Sequence, residues 1–133
     1  GNDPEYSRNL MDQLAELPNV TFLGFVNPDR VGEVYANARL HLNTSDWEGF
    51  PNAFLYAWTR GVPTCSFHID PDGLVTGKDL GIVDPDPSAL AGKMDALLED
   101  QERYDDMARR GYDHVLETNS RDRAVERLIE VLP

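Results

Sequence analysis

The sequence predicts an α/β domain with a parallel sheet of about four strands. Three observations carry that expectation: short apolar runs alternate with stretches of helical spacing, the helical stretches open on cap residues or prolines, and no repeat or biased tract breaks the order. Asp3-Pro4 opens the first helix, whose stripe of Leu10, Leu14 and Leu17 runs up to Pro18. Residues 20–23 read as the first strand. Asn27 then pairs a cap residue with Pro28 at the first helical position, and that helix continues through Val31, Val34, Tyr35 and Ala38. Residues 40–43 are the second strand. Pro51 opens a helix that runs to about Arg60 and stops at Gly61; residues 63–67 read as a buried third strand and 81–83 as the last. Three helices follow. Asp86-Pro87-Ser88 starts one with Leu90, Met94 and Leu97 on a face, a second carries Tyr104, Met107, Ala108, Gly111 and Val115, and Ser120 caps a third bearing Ala124, Leu128 and Leu132.

At 133 residues the chain has the length of one domain, 1–133, and with 41% hydrophobic residues it can bury a core rather than stay disordered. Asp and Glu number 24 against 12 Lys and Arg, a net charge of -12, which repels nucleic acid and anionic membrane surfaces. No nucleic-acid partner is expected. The excess of Arg over Lys, with only two Lys, also suits a protein kept hydrated at high salt. Cys65 is the sole cysteine, so it closes no internal disulfide and has no Cys partner for zinc; the chain fits a reducing compartment. No apolar run approaches the roughly 20 residues of a bilayer span and no signal pattern opens the sequence, which reads as cytoplasmic. No cluster suggests metal ligands, and no cofactor is expected.

The informative stretch is Asn43-Thr44-Ser45-Asp46-Trp47-Glu48-Gly49-Phe50-Pro51-Asn52, between the carboxyl end of a strand and the first turn of a helix. Ligands of open α/β sheets bind at such ends. Amides of a first helical turn lack partners within the helix and carry partial positive charge, so the turn after Gly49 suits a phosphate. Glu48, an acceptor of hydrogen bonds when ionised, suits sugar hydroxyls. The same residues also describe an ordinary turn, with an acidic group at the positive end of a helix dipole and a glycine that bends the chain. Residue chemistry leaves both readings open.

The run Val20-Thr21-Phe22-Leu23-Gly24-Phe25-Val26, then Tyr35 and Ala38, Asn43-Thr44-Ser45, Glu48-Gly49-Phe50-Pro51-Asn52 and Gly61-Val62-Pro63-Thr64 resembles the C-terminal domain of glycosyltransferase family 4. The resemblance covers nearly the whole chain. It implies a partial Rossmann-like domain, the nucleotide-sugar-binding lobe of a GT-B enzyme that retains anomeric configuration, with a place in polysaccharide biosynthesis. Glu48 then matches the first glutamate of the family's E-x7-E motif, which contacts donor-sugar hydroxyls and is the catalytic candidate. Gly49, Phe50, Pro51, Asn52 and Ala53 match the turn at the donor diphosphate; proline has no N–H, so Phe50, Asn52 and Ala53 are the expected amide donors. The motif's second glutamate, which holds the ribose diol, is replaced by Tyr56, a neutral phenol with one hydroxyl in place of two acceptor oxygens. Tyr56 is expected on the solvent or cleft side of its helix, away from the stripe of Pro51, Phe54, Leu55 and Trp58.

After Pro63 the family's Gly-Gly turn is replaced by Ser66-Phe67-His68-Ile69-Asp70-Pro71-Asp72-Gly73, which contains a good turn sequence. His68, Lys78 and Arg60 are candidate phosphate neighbours, His41 reads as structural and His114 as exposed. The resemblance implies that the sequence begins inside the fold. The N-terminal lobe that binds a glycan or lipid-linked acceptor, and the family's diphosphate-neutralising Arg and Lys, are then absent, and the chain alone is expected to be inactive. The strand at 20–23 is expected to pair with 40–43 or, through its free edge, with another copy of the chain. Two other readings stand beside this one. The first is a non-catalytic binding or regulatory module such as a receiver-like domain, although Asp105-Asp106 lies in a helical pattern rather than at an early strand end. The second is a degenerate GT-B lobe that has lost donor binding.

Overall fold

The computed structural model describes residues 4–119. In chain order it contains α1 (Pro4–Ala15), α2 (Pro28–Tyr35), β1 (His41–Asn43), α3 (Asn52–Trp58), β2 (Thr64–Ser66), a 3-10 turn at Pro71–Gly73 leading into α4 (Leu74–Gly77), β3 (Gly81–Val83), α5 (Pro87–Glu99) and α6 (Gln101–Asn119). The α/β class is as expected, and the described sheet has three parallel strands in the order β1-β2-β3. Two compact units divide the chain, residues 1–30 and 31–133. In the first, Asn27 caps as its sequence suggests, its Oδ1 accepting from the Asp29 N–H at 3.1 Å. The helix expected from Ser120 onward lies outside the described residues.

The strand expected at 20–23 does not form. Val20 donates its N–H to the Leu17 carbonyl 3.1 Å away, in a turn that closes α1, and residues 21–24 join no ladder. An apolar run becomes a strand only where a neighbouring strand takes its backbone groups, and the expected pairing with 40–43 is absent from the sheet. The segment between β2 and β3 holds the opposite surprise. The turn at Asp70-Pro71-Asp72-Gly73 is followed at once by α4, whose start Asp70 stitches: its Oδ1 accepts from the Val75 N–H at 2.7 Å and its Oδ2 from the Thr76 hydroxyl at 2.6 Å.

Register decides what each sheet face holds. Leu42, Cys65 and Ile82 stand side by side on one face; His41, Thr64 and Gly81, with Asn43, Ser66 and Val83, stand on the other. The first face packs with Leu90 and Leu97 of α5 and Met107 of α6. On the other side of the sheet, Phe54 and Trp58 of α3 join Ile69, Val75, Leu80 and Val115. Met107 and Val115 lie eight residues apart on α6, so that one helix braces both clusters. The central strand β2 is wholly buried, and burial pushes the Cys65 thiol up to about 12.

Two glycines set how closely the layers approach. A Cβ at Gly81 would stand 1.9 Å from the Thr64 carbonyl oxygen on the neighbouring strand. On α6, a Cβ at Gly111 would stand 2.9 Å from Cδ1 of Trp58. Trp58 is fully buried, its ring centroid 5.7 Å from that of Phe54 and 5.7 Å from that of His114. Among the described residues its indole N–H has no hydrogen-bond partner, so what they supply to hold it is packing.

His114, read from sequence as exposed, is buried at 8% exposure. The cause is Gly111: with no side chain there, α6 lies against Trp58, and the residue three positions on faces the same indole. Lys78 Nζ lies 3.3 Å from His114 Nδ1. An ammonium only donates, so Nδ1 accepts and the imidazole is neutral. Burial and the Lys78 charge both lower the His114 pKa, against a smaller opposing pull from Glu117.

Gly81→Ala should destabilise the fold by about 3 kcal/mol or more, because the new methyl meets backbone that cannot turn aside; urea midpoints measure it. Acid sensitivity follows from His114. Its pKa in the fold lies below the value of about 6.5 in the unfolded chain, so the unfolded chain binds the extra proton first. The contribution is fully present above that pH and is lost as pH falls through the folded value. Urea midpoints should therefore fall between pH 7 and pH 5, and His114→Gln should lessen that fall.

Candidate functional site

β1 ends at Asn43, and the chain takes eight residues, 44–51, to reach α3. Asn43 is buried at 8% exposure and its Oδ1 accepts from the Ser45 N–H at 3.0 Å, a side-chain turn that fixes the loop's departure from the sheet. Ser45 then donates its hydroxyl to Glu48 Oε1 at 2.5 Å. One carboxylate oxygen is thereby oriented by the loop itself, and the other makes no bond with the described residues. Glu48 is exposed, as are Asp46, Trp47, Gly49 and Phe50.

Beyond Glu48 the backbone is open. A Cβ added to Gly49 would meet nothing within 4 Å, so no contact within the chain demands glycine there. Phe50 leans inward, edge-on to Phe54 and Trp58 with centroids 6.5 and 6.3 Å away, and anchors the loop to the core. Pro51 is buried and caps α3 without a side-chain hydrogen bond. Its carbonyl accepts from Phe54 at 3.1 Å, whereas the N–H groups of Phe50, Asn52 and Ala53 find no acceptor among the described residues. Those are the three amides the sequence singles out. Tyr56 lies one turn further along α3, 40% exposed and on the side away from buried Phe54, Ala57 and Trp58. Among the described residues the Glu48 carboxylate takes its hydrogen bond from Ser45 and not from the Tyr56 phenol.

His41 sits beneath this loop. Its ring is edge-on to Tyr35 at 5.6 Å and to Phe54 at 5.7 Å, and its Nδ1 lies 3.5 Å from the Thr64 hydroxyl. Burial lowers its pKa, partly offset by the Glu48 charge, which raises it. His68 comes from the neighbouring strand end, after β2. Its Nδ1 is 3.4 Å from Asp46 Oδ1, so the loops that follow β1 and β2 are tied at their rims. Lys78 and Arg60, the other candidate phosphate neighbours, are not there. Each precedes the amino end of a strand, β3 and β2 respectively, at the opposite edge of the sheet from the Glu48 loop. Lys78 turns to His114, and Arg60 lies along Gly32 of α2, where a Cβ would be 2.7 Å from its terminal nitrogen.

The residues that sequence reasoning missed act on the loop's shape. Ser45 stands three positions before Glu48, a spacing familiar from reciprocal side-chain caps, and this was a readable signal. The pairing of Asp46 with His68 crosses 22 residues, and nothing local marks it. Chemically, the arrangement offers one aimed carboxylate as an acceptor of hydroxyl hydrogens beside three free amide donors, on a surface open to solvent.

No curated protein matches the chain. Among solved structures, a chain in the crystal structure of a GtfA/B complex aligns over 98% of this chain with a TM-score of 0.70 and 20% sequence identity, a likeness of fold. The chain spans 28% of that neighbour's length. The family model described as glycosyl transferases group 1 matches residues 1–100. With three quarters of its length matched and a parallel α/β sheet of the same fold, the chain belongs to the glycosyl transferases group 1 family.

Proposed function

We propose that this chain is the donor-binding part of a retaining glycosyltransferase of the GT-B type, which moves a sugar from a nucleotide-activated donor to a glycan or lipid-linked acceptor in the cytoplasm. Family membership supports glycosyl transfer in general. The observation that carries the finer reading is the Ser45 hydroxyl on Glu48 Oε1, which leaves the second carboxylate oxygen directed by the loop and free for a sugar hydroxyl. Gly49, Phe50, Asn52 and Ala53 supply backbone for the diphosphate, with the shape of the turn set by buried Pro51. As the bond to the sugar breaks, negative charge grows on the leaving diphosphate. Amides fixed in advance stabilise that charge without reorganising. The net charge of -12 opposes an anionic ligand at long range, so its affinity comes from this local cluster.

Tyr56 supports a second reading, a lobe of the same fold that no longer holds the nucleotide, because a phenol replaces the carboxylate expected at the ribose. Among the described residues no helix is long and apolar enough to cross a membrane, so a lipid-linked acceptor would be met at a membrane surface rather than within this part of the chain.

In an enzyme that contains this chain together with an acceptor lobe, Glu48→Ala should lower turnover by about 100-fold or more while leaving the thermal midpoint within about 1 °C, since Glu48 is exposed. Unchanged turnover would remove Glu48 from the mechanism. Calorimetric titration with UDP and GDP separates the two readings: saturable binding of either supports donor recognition, and binding of neither supports the lobe that has lost it.

A further inference from the structure

Trp47 is 88% exposed, whereas the chain's other tryptophan, Trp58, is fully buried. The loop that carries it is braced from several sides. Asn43 holds Ser45, Ser45 holds Glu48, the Asp46 carboxylate meets His68 at 3.4 Å, and Phe50 is anchored on Phe54 and Trp58. A large indole is thus displayed on an ordered turn, immediately before the oriented carboxylate. At that exposure the faces of the indole are open to a ligand from solvent.

We propose that Trp47 is a stacking platform for a pyranose ring whose hydroxyls Glu48 receives. The proposal rests on the reading of Glu48 given above and adds the recognition of the ring's apolar side. A pyranose has two chemically different aspects. Its rim of hydroxyls needs acceptors and donors, and its faces present C–H groups of slight positive character. The face of an indole carries the negative part of the aromatic quadrupole, so the C–H face lies against it while the rim reaches a carboxylate. An adjacent aromatic and carboxylate match this pair of demands. A hydrocarbon lipid tail has no group for Glu48, and an anionic bilayer is repelled by the net charge of -12. The ring belongs either to the donor sugar or to a saccharide acceptor; both offer the same chemistry.

The test uses the enzyme that contains this chain, with Trp47 emission obtained as the difference between the parent and Trp47→Phe. Probes are UDP-glucose and GDP-mannose for the donor, maltotriose for an acceptor, UDP and GDP without sugar, and anionic phosphatidylglycerol vesicles. The platform predicts a blue shift and reduced acrylamide quenching of Trp47 with at least one sugar-bearing probe, and none with UDP or GDP. A response to a nucleotide sugar assigns the donor ring, and a response to maltotriose the acceptor. Trp47→Ala should raise the KM for that substrate about three- to tenfold, with Trp47→Tyr recovering most of the loss and thermal midpoints unchanged. No shift with any sugar in an enzyme that turns over, an equal shift with UDP or GDP alone, or a shift with vesicles only would overturn the platform. If instead Glu48→Gln leaves turnover intact, the reading of Glu48 itself has failed, and the platform with it. A silent Trp47 beside a Glu48-dependent enzyme removes the platform alone.

Discussion

The parallel register of three short strands is the constraint on which the rest depends. Leu42, Cys65 and Ile82 align across the sheet, so β1, β2 and β3 all point the same way and their carboxyl ends share one edge. Parallel strands cannot be joined by tight hairpins, so each connection must cross back over a face, and it begins at that shared edge. The Glu48 loop and the His68 loop meet there for that reason, although Asp46 and His68, which join them, stand 22 positions apart in the sequence. The strands hold this geometry because β2 is buried on both faces and because Gly81 lets β3 come close against the Thr64 carbonyl.

Packing then ties the loop to the core. Trp58 is held by Phe54, Phe50 and His114, and none of these contacts satisfies its indole N–H. Leaving a buried donor unpaired is unfavourable by about 1 to 3 kcal/mol, which the contact of the large ring with its neighbours offsets. Phe50 is both a member of that cluster and a residue of the site loop, so the position of the loop follows from the position of α3 against α6. The long β1–α3 connection therefore does not behave as an independent segment.

Much of this was legible in the residues. Asn27-Pro28, Pro51 and Asp86-Pro87 start helices through local chemistry that needs no tertiary information, and each helix begins within a residue or so of its signal; Asp86 even makes the expected cap, its Oδ1 accepting from the Ala89 N–H at 2.7 Å. The segment 20–23 was misread because a strand is defined by its neighbour, and an apolar run says nothing about whether one is present. His114 was misread because its burial depends on a glycine that admits a tryptophan 53 positions away. At the site, the free amides and the exposed face of Tyr56 follow from helix geometry and were readable. The orientation of Glu48 by Ser45 was half-visible in the spacing, and the tie between Asp46 and His68, formed only when two strand ends converge, was not.

The burial of Cys65 has a practical corollary. A thiol sealed inside the central strand and shifted to about 12 carries almost no thiolate at neutral pH. Maleimides and disulfide reagents have neither a nucleophile nor a path to it. A single cysteine placed anywhere on the surface of this chain would thus take a fluorophore or spin label at one address, without first removing the native sulfur.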